Sequence, residues 1–394
     1  MRWLILTSST GTGHNMRADS LRQWSERVFG GAVETRVHAT LENTHRLYRF
    51  GVGLYNFIQR NCPRLHHLYF NYLEIAGMHR RGARIMGGDR FSALVREWRP
   101  SRVISVHAHT NHGFFDLAHA ALGGADRPRC ITYCGELYGG YGFSRHWANP
   151  RADGFIGATA ETCAAAAAVG TPAPAIFNGG FLLRPRFYEP EAGIERDADT
   201  LAAGLGLDRS VFTLLLNTGL AGANNHLPIL RHLAASGRRL QVIALCGGND
   251  ETRRRIEAFA QRHPRLAIRT LGHTEKMPGL MRLASVVVAR PGTGATSESI
   301  LLGAPLIHNG IGGVMPQELI TVQYCRFHAC ARFGSTPRDI AREALFLLDN
   351  PRELAAQRAR LLAARPPGRP EDICRWIAGR GCVRPDDPAA ESGV

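Results

Sequence analysis

At 394 residues the chain is long enough for two domains of roughly 150–200 residues, each with its own core. A hydrophobic fraction of 44% with 21% charged residues is that of a globular protein. No run approaches the ~20 apolar residues of a spanning helix, which excludes a helical membrane span. The net charge of +15 is carried almost wholly by arginine, Lys276 being the only lysine, and implies anionic company: nucleotide phosphates, an anionic membrane face or nucleic acid.

No nucleic-acid module of the RRM or zinc-finger kind is present, so no nucleic-acid partner is expected. The nine cysteines are odd in number, irregularly spaced and without a CxxC pair. They read as reduced thiols rather than a disulfide framework or a zinc site. The N-terminal MRWLILTSST has too short an apolar part for a secretory signal and reads as a first strand, so a cytoplasmic chain is expected.

Trp3 to Thr7 is strand-like, Ser8 to Gly13 is a turn of small residues, and Asn15 to Val28 has helical character. Val33 to Ala39 is a second strand candidate. Leu41 to Pro100 then mixes aromatics and leucines with ten arginines against only four acidic residues, Glu42, Glu74, Asp89 and Glu97. That mixture suits helices lying in lipid headgroups, and part of it suits helices packed over a sheet. Strands are predicted again at Arg102–Val106, Cys130–Cys134, Gly154–Ala158 and Ala173–Phe177. Leu182 to Arg209, rich in Pro, Arg and acids without a strong apolar period, is expected to be the inter-domain linker. A second alternation follows, with strands at 211–216, 241–245, 266–269, 285–289 and 306–308. Helices are expected over 339–364 and 371–379, and a disordered tail over 384–394.

This repeated β-α alternation predicts an α/β protein of two doubly wound, Rossmann-like domains facing a cleft, a GT-B-type architecture. The expected division is a first domain over 1–190 and a second over 205–345. Helices over 346–380 are expected to return to the first domain.

The most informative stretch is Ala284–Pro305, ASVVVARPGTGATSESILLGAP. A β-branched run is followed by Arg290-Pro291, a turn through Gly292 and Gly294, and a helix whose first turn should hold Thr296, Ser297 and Glu298. Gly303 and Pro305 stop that helix. A strand, a glycine turn and a helix N-terminus make an anion site, because free N–H groups and the helix dipole point at one spot. An ordinary βα junction has the same outline. In the N-terminal half, Ser8-Ser9-Thr10-Gly11-Thr12-Gly13-His14 also lies between a strand and a helix. Its glycines admit close backbone approach, and His14 is placed to act as a general base. The matching loop of the second half is Asn217–Ala223, where Gly219 and Gly222 could admit a pyrophosphate.

Arg290-x-Gly292, Ser297-Glu298 and the following Gly-x-Pro resemble the donor-site signature of glycosyltransferase family 28. So do Gly272-His-Thr274-Glu-Lys-Met277 upstream and Pro316-Gln317-Glu318 downstream. The family includes monogalactosyldiacylglycerol synthases and processive diacylglycerol glucosyltransferases. The resemblance implies an inverting, metal-independent transfer of a hexose from a UDP-sugar to a lipid hydroxyl, diacylglycerol being the expected acceptor. His14 would be the base. Gly11, Gly13, Gly219, Thr274, Arg290, Gly292, Gly294, Thr296, Ser297, Glu298, Gln317 and Glu318 would contact the donor, with Glu298 on the ribose and Gln317 and Glu318 on the hexose. UDP-sugar is a substrate, and no cofactor or metal is expected. The partners implied are a UDP-hexose, a lipid acceptor and an anionic membrane surface, on the inner face of the cell membrane. Glu136 stands where the family has Asp, and Phe181 where Pro is usual.

Two other patterns compete for metal. His107-x-His109-x-Asn111-His112 approaches HxHxDH, a metallo-hydrolase signature, but with Asn in place of Asp. Asp197-Ala-Asp199 matches DxD, though within the acidic linker, where a solvated turn is expected. The rival functions are a UDP-sugar epimerase on the same scaffold and a catalytically silent UDP-sugar-binding membrane regulator.

Overall fold

The computed structural model describes residues 1–61, 65–77, 79–217 and 225–379. The chain divides into two units. The first comprises Met1–Pro185, the segment Met315–Ile320 and the chain from Pro366 onward; the second comprises Arg186–Val314 and Thr321–Arg365.

In chain order the first unit holds β1 (Arg2–Thr7), α1 (Gly13–Phe29), β2 (Glu34–Ala39), α2 (Thr40–Thr44), α3 (Arg46–Asn61) and α4 (His66–Ala76). It continues through α5 (Gly88–Trp98), β3 (Arg102–Ser105), α6 (Gly113–Ala121), β4 (Arg129–Cys134), β5 (Gly154–Gly157), α7 (Ala160–Ala168) and β6 (Ile176–Asn178). The strands form one parallel sheet in the order β2-β1-β3-β4-β5-β6. From Trp3 to Thr7, β1 is buried at every position, as a parallel strand covered on both faces must be. Leu4 and Leu6 meet Val103, Phe91, Val95, Phe114 and Phe115 in the core.

The second unit holds α8 (Glu191–Leu205), β7 (Thr213–Asn217), α9 (His226–Ala235), β8 (Gln241–Leu245), α10 (Asp250–Arg262), β9 (Ala267–Leu271), α11 (Met277–Leu283) and β10 (Val286–Ala289). There follow α12 (Thr293–Leu302), β11 (Leu306–Asn309), α13 (Pro316–Phe327), β12 (Ala331–Gly334), α14 (Pro337–Asp349) and α15 (Pro351–Ala363). Its parallel sheet runs β12-β11-β10-β7-β8-β9. Leu214, Leu216, Val242, Ala244, Val286 and Val288 pack with Ile229, Leu233, Ile340 and Leu347.

Both sheets reverse direction at one place. In the first, the chain leaves β1 for β2 and returns to the other side at β3; in the second it leaves β7 for β8 and returns at β10. Loops following the strands at such a reversal splay apart and leave a crevice at the carboxyl ends, which is where open α/β sheets bind ligands. The two reversals select the loops after β1 and β3 in the first unit, and after β7 and β10 in the second.

Several expectations are corrected. The stretch read as a linker contains α8, fifteen residues long, whose Ile194, Ala198 and Ala202 are buried. Alanines carry two of those three contacts, so the helical period was too weak to stand out. Asp197 and Asp199 therefore sit on a helix rather than in a turn, and the second unit begins at Arg186 rather than 205. Helix α1 starts at Gly13, which places His14 in its first turn. Helix α12 starts at Thr293, so Thr296 to Glu298 lie past its first residues. The final helix α16 (Pro370–Ala378) clusters with the first unit, where Trp376 stacks on Phe177 with ring centroids 5.4 Å apart. A Cβ on Gly154 would stand 2.3 Å from that indole, so only glycine leaves room for it. Residues 384–394 lie outside the described residues.

Candidate active site

In the first unit, the loop after β1 is fastened from α2 and α3. Ser9 N donates to Glu42 at 2.6 Å and Gly11 N donates to Asn56 Oδ1 at 2.9 Å, while Asn56 Nδ2 donates to Ser9 O at 2.8 Å. Gly11 takes φ +71°, a conformation that favours glycine. With two backbone donors already occupied, this loop presents His14 more than it offers an anion cradle.

His14 Nδ1 lies 2.8 Å from the carbonyl oxygen of Val106, just after β3. A carbonyl only accepts, so Nδ1 carries the proton and Nε2 carries the lone pair. Burial holds the His14 pKa down to about 3, with Arg17 adding to the effect and the Val106 carbonyl opposing it. The imidazole is therefore neutral throughout the physiological range. Arg17 is itself buried and donates to Gly135 O at 2.9 Å. The neighbouring Glu136 is 6% exposed, and burial raises its pKa against the pull of Arg17.

His14 is one end of a histidine cluster. Its ring meets that of His107 edge-on at 4.4 Å, His107 lies 5.7 Å from His109, and His109 lies 5.7 Å from His79 and 4.8 Å from His146. His146 in turn lies 6.2 Å from His112. The His109 backbone N–H donates to His107 Nδ1, so His107 Nε2 bears the proton that faces Thr10 Oγ1 at 2.7 Å. Burial pushes the pKa values of His107 and His109 well below the ordinary value, that of His79 to about 4, and that of His112 to about 3. Among the described residues the grouping whose ligand atoms approach closely enough to share an ion is elsewhere, at His119, Cys130 and Asp153. There Asp153 already accepts from Cys130 N at 2.6 Å and Arg127 stands beside His119. The HxHxNH segment thus forms part of a packed, uncharged imidazole cluster.

In the second unit, the β10–α12 junction brings Arg290, Gly292, Gly294, Thr296, Ser297 and Glu298 together. Gly292 caps the helix in an extended conformation (φ −79°, ψ 146°). A Cβ added at Gly292 or at Gly294 would meet nothing within 4 Å. Neither glycine has a positive φ nor a crowded neighbour, so the open space beside them is what their lack of side chain preserves. Arg290 donates to Ile311 O at 2.9 Å and Gly313 O at 2.8 Å and so clamps the loop after β11. Thr296 Oγ1 lies 3.1 Å from His308 Nε2, on a histidine whose pKa burial, aided by Arg290, lowers to about 3. Glu298 is 5% exposed, between buried Ser297 and Ser299.

The remaining expected residues are dispersed. Thr274 follows β9, the third strand along from β10, about 14 Å away at ordinary strand spacing. Its hydroxyl accepts from Lys276 N at 3.1 Å. Gln317 and Glu318 open α13, in the segment that clusters with the first unit, and Glu318 Oε2 accepts from Met315 N at 2.9 Å, capping that helix. Gly219 and Gly222 lie outside the described residues. Sequence reasoning passed over Arg17, Asn56, Glu42, His79 and His146; only the second of these had a local signal, an amide in an otherwise apolar run.

Two parallel sheets, each reversing at a loop-lined crevice, define a chain of the GT-B fold class. Residues 223–308, which contain the β10–α12 junction, match the Glycosyltransferase family 28 C-terminal domain. The chain is 23% identical over 359 residues to monogalactosyldiacylglycerol synthase 1 of Arabidopsis thaliana, across 86% of this chain and 63% of that protein. It is 25% identical to a processive diacylglycerol beta-glucosyltransferase of Bacillus licheniformis, across 77% of this chain and 76% of the other. It therefore spans less than two thirds of the plant relative's length. Among solved structures it shares its fold with Acinetobacter baumannii MurG (TM-score 0.59, 14% identity, 96% and 99% of the two chains). It does so equally with a Neisseria meningitidis UDP-GlcNAc 2-epimerase (TM-score 0.58, 11% identity, 96% and 98%). Fold alone thus leaves transfer and epimerisation open.

Proposed function

We propose that this chain is a glycosyltransferase that moves a hexose from a UDP-sugar to the hydroxyl of a diacylglycerol-like lipid, with inversion and without a metal. The observation that carries the reading is the β10–α12 junction. It lies inside the family 28 match and presents a helix N-terminus across two glycines that face open space. In the proposed reaction His14 Nε2 takes the acceptor proton as the acceptor oxygen attacks the anomeric carbon. The bond from that carbon to the diphosphate breaks, and the leaving group departs with the electron pair. The N–H groups and dipole of α12 meet the charge that develops there, which is where preorganised donors act most strongly. Glu298 is read as the partner of the ribose hydroxyls.

The lipid half of the reading rests on α3 and α4. Leu47, Phe50, Leu54 and Phe57 on α3 are between 37% and 69% exposed, and Leu65, Leu68, Tyr72 and Ile75 along α4 between 51% and 81%. Both sets follow the same three-four-three spacing, one stripe per helix, while Tyr48, Val52 and Phe70 take the inward faces. Two apolar stripes set among arginines suit insertion at an anionic membrane surface. Among the described residues no helix is long and apolar enough to cross a membrane, so the proposed attachment is peripheral, on the cytoplasmic face.

A radiolabelled UDP-sugar panel offered with membrane lipid extract tests the proposal. Labelled lipid is the expected product. An altered free nucleotide-sugar without lipid product would point to epimerisation, and binding without turnover to a silent regulator; either would overturn the transferase reading.

A further inference from the structure

The amino ends of β4 and β5, at the opposite end of the first sheet from the His14 crevice, gather three side chains that the transfer reaction does not use. Cys130 is the second residue of β4, Asp153 immediately precedes β5, and His119 stands in the last turn of α6. Cys130 packs against that helix, beside Phe115, Ala118 and Leu122. Its thiol, a ring nitrogen of His119 and a carboxylate oxygen of Asp153 all lie within 4.8 Å of one another. His119 Nε2 is 3.8 Å from Asp153 Oδ2. Cys130 is fully buried and Asp153 is 4% exposed.

Asp153 and Cys130 clasp each other through the backbone. Asp153 N donates to Cys130 O at 2.8 Å, and Cys130 N donates to Asp153 Oδ2 at 2.6 Å. The pair fixes the carboxylate beside the thiol and leaves it acceptor capacity, since an ionised carboxylate has about four lone-pair sites. His119 Nε2, by contrast, is unmatched: it is buried and has no hydrogen-bond partner. As a donor it stands too far from Asp153 Oδ2 to bond, and as an acceptor its lone pair faces an anion. Native structures rarely leave a buried polar nitrogen so placed without a ligand or water to receive it. On the other side of the ring, Arg127 Nη2 stands 3.4 Å from Nδ1. That guanidinium repels a second cation, but a carboxylate and a thiolate together carry two negative charges, enough to neutralise a divalent ion.

We propose that His119, Cys130 and Asp153 form a zinc site that staples the end of α6 to the amino ends of β4 and β5, leaving the fourth position to water. Imidazole nitrogen, thiolate sulfur and carboxylate oxygen are all zinc donors, whereas magnesium and calcium take oxygen and are disfavoured by the thiolate. Neighbouring donors on a tetrahedral zinc stand about 3.5 Å apart, given bonds of about 2.0–2.3 Å, so the trio needs a small inward turn. As the metal binds, the S–H bond breaks, the sulfur keeps the electron pair and bonds zinc, and the proton leaves to solvent. The His119 side chain, 19% exposed, gives the ion its way in. The three ligands lie on separate segments, so no spacing motif marks them in the sequence. The staple is structural and lies away from His14, so a transfer step without metal is compatible with it, and it does not depend on the transferase reading.

Metal analysis and cobalt titration of the full chain test it. Protein purified without chelator is expected to carry close to one zinc per chain. Cobalt(II) added to the metal-free protein should produce a thiolate-to-cobalt charge-transfer band that is lost in Cys130→Ala. Zinc affinity, read by competition with a chelator, should fall at least about tenfold in His119→Gln, with UDP affinity unchanged. Zinc should raise the thermal midpoint of the metal-free wild type and of neither variant. Should Cys130→Ala fail to fold, His119→Gln, at a partly exposed residue, carries the same test. A wild-type chain that holds no zinc and takes up no cobalt saturably, a charge-transfer band that survives Cys130→Ala, or zinc affinity indifferent to His119→Gln would each overturn the proposal.

Discussion

The carbonyl of Val106 fixes the proton of His14: at 2.8 Å from Nδ1 it can only accept, so the lone pair is left on Nε2. Replacing His14 with alanine should lower turnover by about 10²–10⁴-fold while UDP affinity is retained. Because burial holds the pKa of this imidazole to about 3, its titration should not appear in kcat/KM between pH 8 and pH 5. Rate profiles and UDP calorimetry on the two proteins check both statements, and a variant turning over normally would remove His14 from the chemistry. EDTA should leave wild-type turnover intact.

Gly294 offers a test in which two quantities move in opposite directions. Inside a helix, alanine is more favourable than glycine by about 1 kcal/mol, and the site has room for a Cβ in the unliganded protein. Gly294→Ala should therefore raise the thermal midpoint slightly and weaken UDP binding. Unchanged UDP affinity would show that the α12 N-terminus does not approach the nucleotide.

Glu298→Gln keeps the shape of a buried side chain and removes its charge. If the carboxylate receives ribose hydroxyls, the loss of a charge-assisted pair should cost about 1.5–3 kcal/mol of UDP affinity, roughly tenfold or more. Uridine competes for the same contact, so its affinity should fall in parallel, whereas that of pyrophosphate should not.

The buried histidines give the chain a steep acid side. Eleven of the seventeen have pKa values lowered, with burial the leading cause. Unfolding returns each to about 6.5, so the unfolded chain binds more protons below that value, down to folded values that are about 3 for His14, His112 and His308 and about 4 for His38, His79 and His226. Stability is full above pH 6.5 and is lost as pH falls below it. Each well-buried imidazole removes about 1 kcal/mol by pH 5.5. The raised carboxyl of Glu136 acts in the opposite direction, but it is one group against many. Scanning calorimetry should record a fall of roughly 10 °C or more between pH 7.5 and 5.5. A flat midpoint would contradict a neutral, buried cluster.

Vesicle flotation tests the two stripes. Binding should rise with anionic lipid and fall only partly with salt, since arginine attraction is screened and apolar insertion is not. Phe50→Glu with Ile75→Glu should abolish flotation and leave UDP affinity alone, both side chains being exposed.

The β10–α12 junction was legible because everything it needs is local: a β-branched run, Arg-Pro, two glycines and a glycine stop within twenty residues. The parallel sheets were legible for a similar reason, since strands buried on both faces read as continuous apolar runs. The histidine cluster was not. His79, His109 and His146 lie on separate segments, and nothing in their spacing says that His79 and His146 both come within 6 Å of His109. Helix α8 escaped because alanine covers a neighbour with too little apolar surface to mark a face. Glu318 is expected at the sugar from the family resemblance alone, and the helix-capping bond that its Oε2 accepts from Met315 N could not be read from that resemblance.

Asn56 grips the glycine loop from the inner side of α3, while Leu54 and Phe57, its near neighbours in sequence, stand exposed on the outer side. A helix with its side chains is about 10 Å across, so a single helix thickness separates the loop bearing His14 from the surface those apolar residues face. A glycerolipid whose tails stayed in a bilayer against that surface would need to lift its hydroxyl only about that far. The acceptor would remain a resident of its own leaflet for the whole reaction, and the enzyme would work as a surface catalyst, its rate set by lipid per unit area rather than by lipid per unit volume.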